Sequence, residues 1–358
     1  MNISEKSKGI IDSCRFCWMC RHICPIGNAT GLERNTARAR ALGASLVVRG
    51  ATKLKEISDN IYECTLCGAC TNNCMTGWDP KVFIQELKTE IVLNGVAPDY
   101  IMGLIEKYQT TGNVYGVLAC ACLNDLVNND SDVLFFAGQD AILKTPESVK
   151  NSIALLNKAG VKVSFGLDQD SSAAWWFLTG KTAETLSVAT KTAEKLNQFK
   201  TVVVYDPVDY KLFLHEYKEW GIDITAKVIG FNEYLLSLIE NGSLKVKNNG
   251  KAYSLQDNYA YARELDDTQT GRKLISKVGV VKDMLLIGKE ANLAGQLIMA
   301  EYMPNVMTEV ALNRWQNAIN MDCKTIVTEN PAEYLALKAT TPDGYQVLSV
   351  EEMILENI

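Results

Sequence analysis

Cys14-Arg15-Phe16-Cys17-Trp18-Met19-Cys20-Arg21-His22-Ile23-Cys24-Pro25 decides the reading of this chain, together with its later counterpart, Cys64-Thr65-Leu66-Cys67-Gly68-Ala69-Cys70-Thr71-Asn72-Asn73-Cys74. Both stretches follow C-x2-C-x2-C-x3-C, the spacing that ligates [4Fe–4S] clusters. Three thiolates this close in sequence can grip three corners of one cubane, while the fourth faces away. Zinc and disulfides are the competing readings. Zinc sites usually take two separated C-x2-C pairs, not four packed cysteines twice over. Disulfide frameworks belong to small secreted domains, and this chain has 358 residues.

The repeated run resembles that of bacterial two-cluster ferredoxins, in which the last cysteine of each run caps the other cubane. That resemblance implies two clusters. Cys14, Cys17, Cys20 and Cys74 would hold one; Cys64, Cys67, Cys70 and Cys24 would hold the other. Pro25 suits the turn that presents Cys24, whereas Cys74 is followed by Met75.

Bulk composition narrows the function classes. The length allows two or three domains, and 47% hydrophobic with 22% charged residues is ordinary for a soluble globular protein. A net charge of −6 argues against nucleic acid as a partner. The start MNISEKSKGIIDS has no apolar core of signal-peptide length, so no leader is expected. No apolar run of about 18 residues suggests a membrane-spanning helix. Eight of the 11 cysteines lie in the two runs, which implies a reducing, cytoplasmic setting and anaerobic chemistry. With only two histidines, His22 and His215, histidine acid–base chemistry is thinly supplied. His22, between cluster cysteines, reads as a surface or outer-sphere residue and not as a ligand.

Residues 31–61 separate the runs and read as two helices, the first rich in Ala and Arg and the second near residues 54–61. Residues 79–108 read as one further helix, through Val82, Ile84, Leu87 and Ile91. Glycines at 112 and 116 break the pattern. Cys120-Ala121-Cys122 follows and reads as small buried hydrophobes. Beyond Asp132 the pattern becomes strand–helix alternation. Val133 to Phe136 is a buried strand, Thr145-Pro146-Glu147 opens a helix, and residues 161–165 read as the next strand.

An internal repeat sets the architecture of this part. Lys200-Thr-Val-Val-Val-Tyr-Asp206-Pro207-Val-Asp209-Tyr210 matches Lys324-Thr-Ile-Val-Thr-Glu-Asn330-Pro331-Ala-Glu333-Tyr334 in register. Each is a buried strand running into a helix that begins at proline, followed by a further strand and a last helix. The expected fold is therefore α+β and multidomain. An all-helical two-cluster ferredoxin-like domain (1–110) and a linker (111–131) precede two tandem α/β repeats (132–243 and 244–358).

This arrangement resembles the family of heterodisulfide-reductase D subunits and anaerobic glycerol-3-phosphate dehydrogenase C subunits. In that family each repeat is a cysteine-rich domain. It carries a cysteine after its first strand, a Cys-Cys-Gly element and a C-P-x-C-Y element. Here the corresponding stretches are thiol-free: Gly138-Gln139-Asp140, Gln169-Asp170-Ser171-Ser172-Ala173, Asp206-Pro207-Val208-Asp209-Tyr210, Lys289 to Gly295, and Asn330-Pro331-Ala332-Glu333-Tyr334. No metal ligand is carried over to the repeats. Asp206 and Asn330 read as helix N-caps and Asp209 and Glu333 as N3 acids of capping boxes, in preference to a carboxylate cation site. Trp175-Trp176-Phe177 reads as core ahead of a ligand or partner contact.

The resemblance implies an iron–sulfur electron-transfer subunit of an oxidoreductase complex, not catalytic alone. It would relay electrons between a flavin-dependent dehydrogenase or reductase and a further acceptor such as a quinone, a ferredoxin or another subunit. FAD is expected on that partner and not on this chain. A quinone- or disulfide-reducing activity at the repeats and a redox-sensing scaffold are the alternatives. The expected location is cytoplasmic, with peripheral attachment to the cytoplasmic membrane face in some relatives.

Overall fold

The computed structural model describes residues 3–167 and 171–358. Gln169 and Asp170, read above as replacements for lost thiols, lie outside the described residues. The chain mixes helices with two short parallel sheets, an α+β architecture.

The N-terminal part is built from helices Glu5–Ser13, Pro25–Thr30, Ala37–Val48, Leu54–Tyr62, Ala69–Asn72, Lys81–Leu93 and Asp99–Thr111. The Thr36 side chain accepts from Ala39 N and starts Ala37–Val48. The buried face of that helix is Ala37, Ala41 and Ala44, small enough for the helix Leu54–Tyr62 to lie close. Ile57, Ile61 and Tyr62 are the inward face of the latter. Phe83, Ile84, Leu87, Ile91, Leu104 and Ile105 complete the core. The single helix expected over 79–108 is corrected to two. Gly95 at φ +65° and Pro98 lie between them, and proline disfavours helical backbone in the residue before it.

Strands β1 (Val133–Phe136), β2 (Thr201–Val204) and β3 (Lys227–Gly230) form a parallel sheet in that order, with Val133 opposite Thr201 and Thr201 opposite Lys227. Strands β4 (Ala252–Leu255), β5 (Val280–Val281), β6 (Thr325–Thr328) and β7 (Gln346–Ser349) form a second parallel sheet, in the order β5-β4-β6-β7. The strand expected over 161–165 is reduced to bridges, Ser164 to Leu134 and Phe165 to Asn128. Both sheets share one core, in which Phe135, Tyr205, Phe231 and Leu235 meet Tyr253, Leu255, Val327 and Met353. The helix Val350–Leu355 opens with a true capping box between Ser349 and Glu352.

The α/β body grips the helical part at several points. Trp175 and Trp176 bury themselves in the helical core, with Trp176 edge-on to Tyr108 at 4.2 Å. Gly180, at φ +88°, lets the chain pass the Lys88 carbonyl where a Cβ would come within 2.6 Å. Tyr62 Oη donates to Thr179 O at 2.9 Å, and Tyr302 Oη donates to Tyr62 O at 2.7 Å. Met299, Met307 and Val310 pack against Cys24 and Ile26. Among the described residues, no helix is long and apolar enough to cross a membrane.

Candidate metal centre

The two cysteine runs share a left-handed turn at matching positions. Phe16 and Leu66, each just before the second cysteine, have φ of 51° and 56°; Trp18 and Gly68, each just after it, have 71° and 72°. Left-handed backbone costs a bulky L-residue roughly 1–2 kcal/mol, and the first run accepts it at both Phe16 and Trp18. Such turns aim amides at sulfur: Leu66 N donates to Cys64 Sγ at 3.4 Å. Cys24 is the N-cap of Pro25–Thr30 and its Sγ accepts from Gly27 N at 3.4 Å. Pro25 at the first helical position needs no amide partner.

Each run meets the end of the other. One cavity is lined by Cys14, Cys17, Cys20 and Cys74, a second by Cys24, Cys64, Cys67 and Cys70. Among the described residues, no three His, Cys, Asp or Glu side chains converge on a single-ion position. The four thiols of each set instead line one cavity. An all-sulfur donor set with amides directed at it fits a [4Fe–4S] cluster at each cavity.

The surroundings of the two cavities differ. Cys17 is exposed, whereas Cys24 and Cys67 are buried. Burial pushes the Cys24 thiol up, against the pull of the nearby Arg40 cation. Burial pushes Cys70 well up, and the neighbouring Cys64 and Cys67 add to it. Cys14 and Cys20 are raised for the same first reason. At Cys74 partial burial works upward, but hydrogen bonds from Thr76 and the Trp78 amide outweigh it and the thiol lies below its usual value. Thiols this costly to ionise are deprotonated by the metal they bind, so loading releases protons.

Arg40 lines the second cavity, and the buried Lys88 acts on Cys64 there. Arg40 is 1% exposed and donates to the carbonyls of Asn35, Asn60 and Glu63. Lys88, also buried, is lowered to about 8 by loss of solvent, with Cys64 pulling the other way. From the body, Arg263 donates to Cys67 O at 2.9 Å and Gln296 to Thr65 O at 3.2 Å, while Asn72 and Asn73 donate to the Glu290 carboxylate.

A further cavity of about 40 Å³ lies where the two sheets meet the helical part, lined by Asp140, Asp206, Asp209, Trp175, Tyr259 and Gln296 among others. Tyr259 also packs beside Cys67. Asp206 and Asn330 cap their helices, accepting from Val208 N and Glu333 N. The capping-box roles expected of Asp209 and Glu333 are corrected. Asp209 accepts from Ser172 Oγ, and Glu333 accepts from Gln256, Asn258 and Ala294 N. Tertiary donors outcompete the local backbone there. Burial, helped by the Asp206 charge, raises Asp140 to about 8, and burial raises Asp206 to about 6. Cys120 and Cys122, expected to be buried, are corrected to half-buried and exposed and are joined as a disulfide. His22 is exposed. Sequence reasoning missed Arg40, Lys88 and Arg263; an arginine inside an Ala-rich helix was the one available signal.

Residues 10–78 match the family model described as a 4Fe-4S dicluster domain. Two curated relatives, from Methanosarcina mazei and Methanosarcina acetivorans, are each the D subunit of a dihydromethanophenazine:CoB–CoM heterodisulfide reductase. The first is 26% identical over 179 residues, covering 43% of either chain. The second is 24% identical over 174 residues, covering 42% of either. The match thus spans less than half the length of these relatives. A solved hypothetical protein from Helicobacter pylori is similar over 99% of this chain and 72% of its own, with a TM-score of 0.64 at 14% identity, and shares the fold. The N-terminal part is an iron–sulfur domain of the dicluster class. Over 42–43% of its length the chain is similar to heterodisulfide-reductase D subunits.

Proposed function

We propose that this chain is the iron–sulfur subunit of an oxidoreductase complex, relaying single electrons between a flavin-containing partner and a further acceptor. Cys14, Cys17, Cys20 and Cys74 would hold one [4Fe–4S] cluster, and Cys24, Cys64, Cys67 and Cys70 the other. Such a cluster, when bound, takes up and returns one electron with little change of shape. The observation that carries this reading is the crossed lining of the two cavities, three cysteines from one run and the last from the other. The protein's own part is to fix the spacing of the two sites. It also keeps water from the second and sets its charge environment through Arg40 and Lys88.

The α/β body reads as two tandem repeats (132–243 and 244–358) serving as a scaffold. In support, β2 and β6 each run into a helix that begins with a capped proline. Among the described residues, the cavity between the halves is lined by carboxylates, amides and an indole but by no thiol, which speaks against disulfide chemistry there. Anaerobic purification of the native complex, with flavin and iron analysis, tests the assignment. A flavoprotein should accompany the chain, and turnover should be lost in Cys67→Ser. A chain that purifies with its iron but without any flavoprotein would contradict the partner.

A further inference from the structure

The two runs share that left-handed turn but not a covering. At the second, Gly68 stands where the first has Trp18, and a Cβ there would come within 3.1 Å of Glu264 Oε1. Glu264 is tied to Lys81 at 2.6 Å, and Tyr259 and Leu293 pack on Cys67 and Ala69. At the first run the same positions stand open. Residues 15–19 are all exposed, Trp18 by 51%, and across the cavity Met75 is exposed by 85%. The Arg38 guanidinium lies 3.5 Å above the Trp18 ring and Arg21 lies 5.6 Å from it. A groove of about 550 Å³ runs beside them, lined by Trp18, Arg21, His22, Asn28 and Leu32.

Positive charge borders the same place: Arg15 and Arg38 line the cavity and Arg21 the groove, in a chain of net charge −6. Glu33 pairs with Arg21 and Arg38 and fixes them in place.

We propose that this face docks a small acidic one-electron carrier protein, seated over Cys17 as the body is seated over Cys67. The inference rests on the relay function and names one of its partners by chemistry. Trp, Arg, Phe and Met are the residues enriched where proteins bind one another. A positive rim steers an acidic partner and sets its orientation. The arginines are held by Glu33 and stacked on an indole, a rigid arrangement suited to a shaped protein surface more than to a fluid lipid headgroup layer.

The full chain, loaded anaerobically with iron and sulfide, is titrated with a small acidic [2Fe–2S] ferredoxin, with a basic cytochrome c as control. Binding to the ferredoxin alone is expected. Raising ionic strength from about 0.01 to about 0.15 M shrinks the Debye length from about 30 to about 8 Å and should weaken it about tenfold. Arg15→Glu with Arg21→Glu should weaken it about tenfold or more, a loss of about 1.4 kcal/mol or more. Met75→Glu, a substitution on an open surface, should weaken it in the same direction. Iron content should stay that of the wild type in both variants. Salt-independent binding, unchanged affinity in both variants, or no ferredoxin binding by iron-replete protein would overturn the proposal. So would capture by anionic phospholipid vesicles with none by ferredoxin. None of those outcomes touches the relay reading, which fails only if the chain holds no clusters.

Discussion

Arg263 Nη1 donates to the carbonyl of Cys67 at 2.9 Å, across 196 residues of sequence. The same guanidinium reaches the carbonyls of Lys289 and Ala291. One side chain of the α/β body thus fixes both the loop beside it and the cysteine turn of the buried site. Arg263→Met should leave three carbonyls short of a donor, at about 1–3 kcal/mol for each one that water cannot reach. Iron should be lost to a chelator faster from the site of Cys67 than from that of Cys17, followed by the separate EPR signals of the two.

Arg40 is a buried positive charge beside Cys24. Removing it raises the energy of whichever state of the site is more negative. Arg40→Met should lower the midpoint potential of the buried centre by tens of millivolts and leave the exposed one nearly unchanged. EPR-monitored redox titration of the variant checks this.

Trp176 joins the body to the helical core, edge-on to Tyr108. Trp176→Ala should cost about 3–5 kcal/mol. Thermal unfolding should then show the helical part and the body separating into two transitions.

Asp140 is raised to about 8 by burial and by the Asp206 charge, and Asp206 to about 6 by burial, both from an ordinary value of 3.8. Between the unfolded and folded values the native state holds more protons than the unfolded one. Stability contributed by these groups is therefore complete below about pH 4 and is lost as pH rises toward about 8. Asp140→Asn should flatten the fall in Tm between about pH 5.5 and about pH 8 and raise Tm at the upper end. An unchanged slope would contradict that role for Asp140.

Much of this was legible in the residues because the chemistry lies close in sequence. The cysteine spacing gave the kind of centre, and Asp206-Pro207 and Asn330-Pro331 gave two helix starts, since caps are local. Other features depend on distant partners. Asp209 and Glu333 carry the sequence of capping-box acids, yet Ser172, Gln256 and Asn258 claim them in the folded chain. The left-handed backbone at Phe16, Trp18 and Leu66 runs against the preference of those residue types, so no pattern announces it. The burial of one run and exposure of the other is set by Arg263, Tyr259 and Glu264, far along the chain. The break between Lys81–Leu93 and Asp99–Thr111 was written in Gly95 and Pro98 but hidden by a continuous apolar spacing.

The central claim is that the two runs exchange their last cysteines. Iron analysis with EPR on anaerobically prepared single variants tests it most directly. Wild type should carry about eight irons per chain. Cys24→Ala and Cys67→Ala should abolish the same EPR signal, while Cys74→Ala and Cys17→Ala abolish the other. If Cys24→Ala and Cys17→Ala instead removed one common signal, or if the sample were colourless or held zinc, the account would be wrong at its foundation.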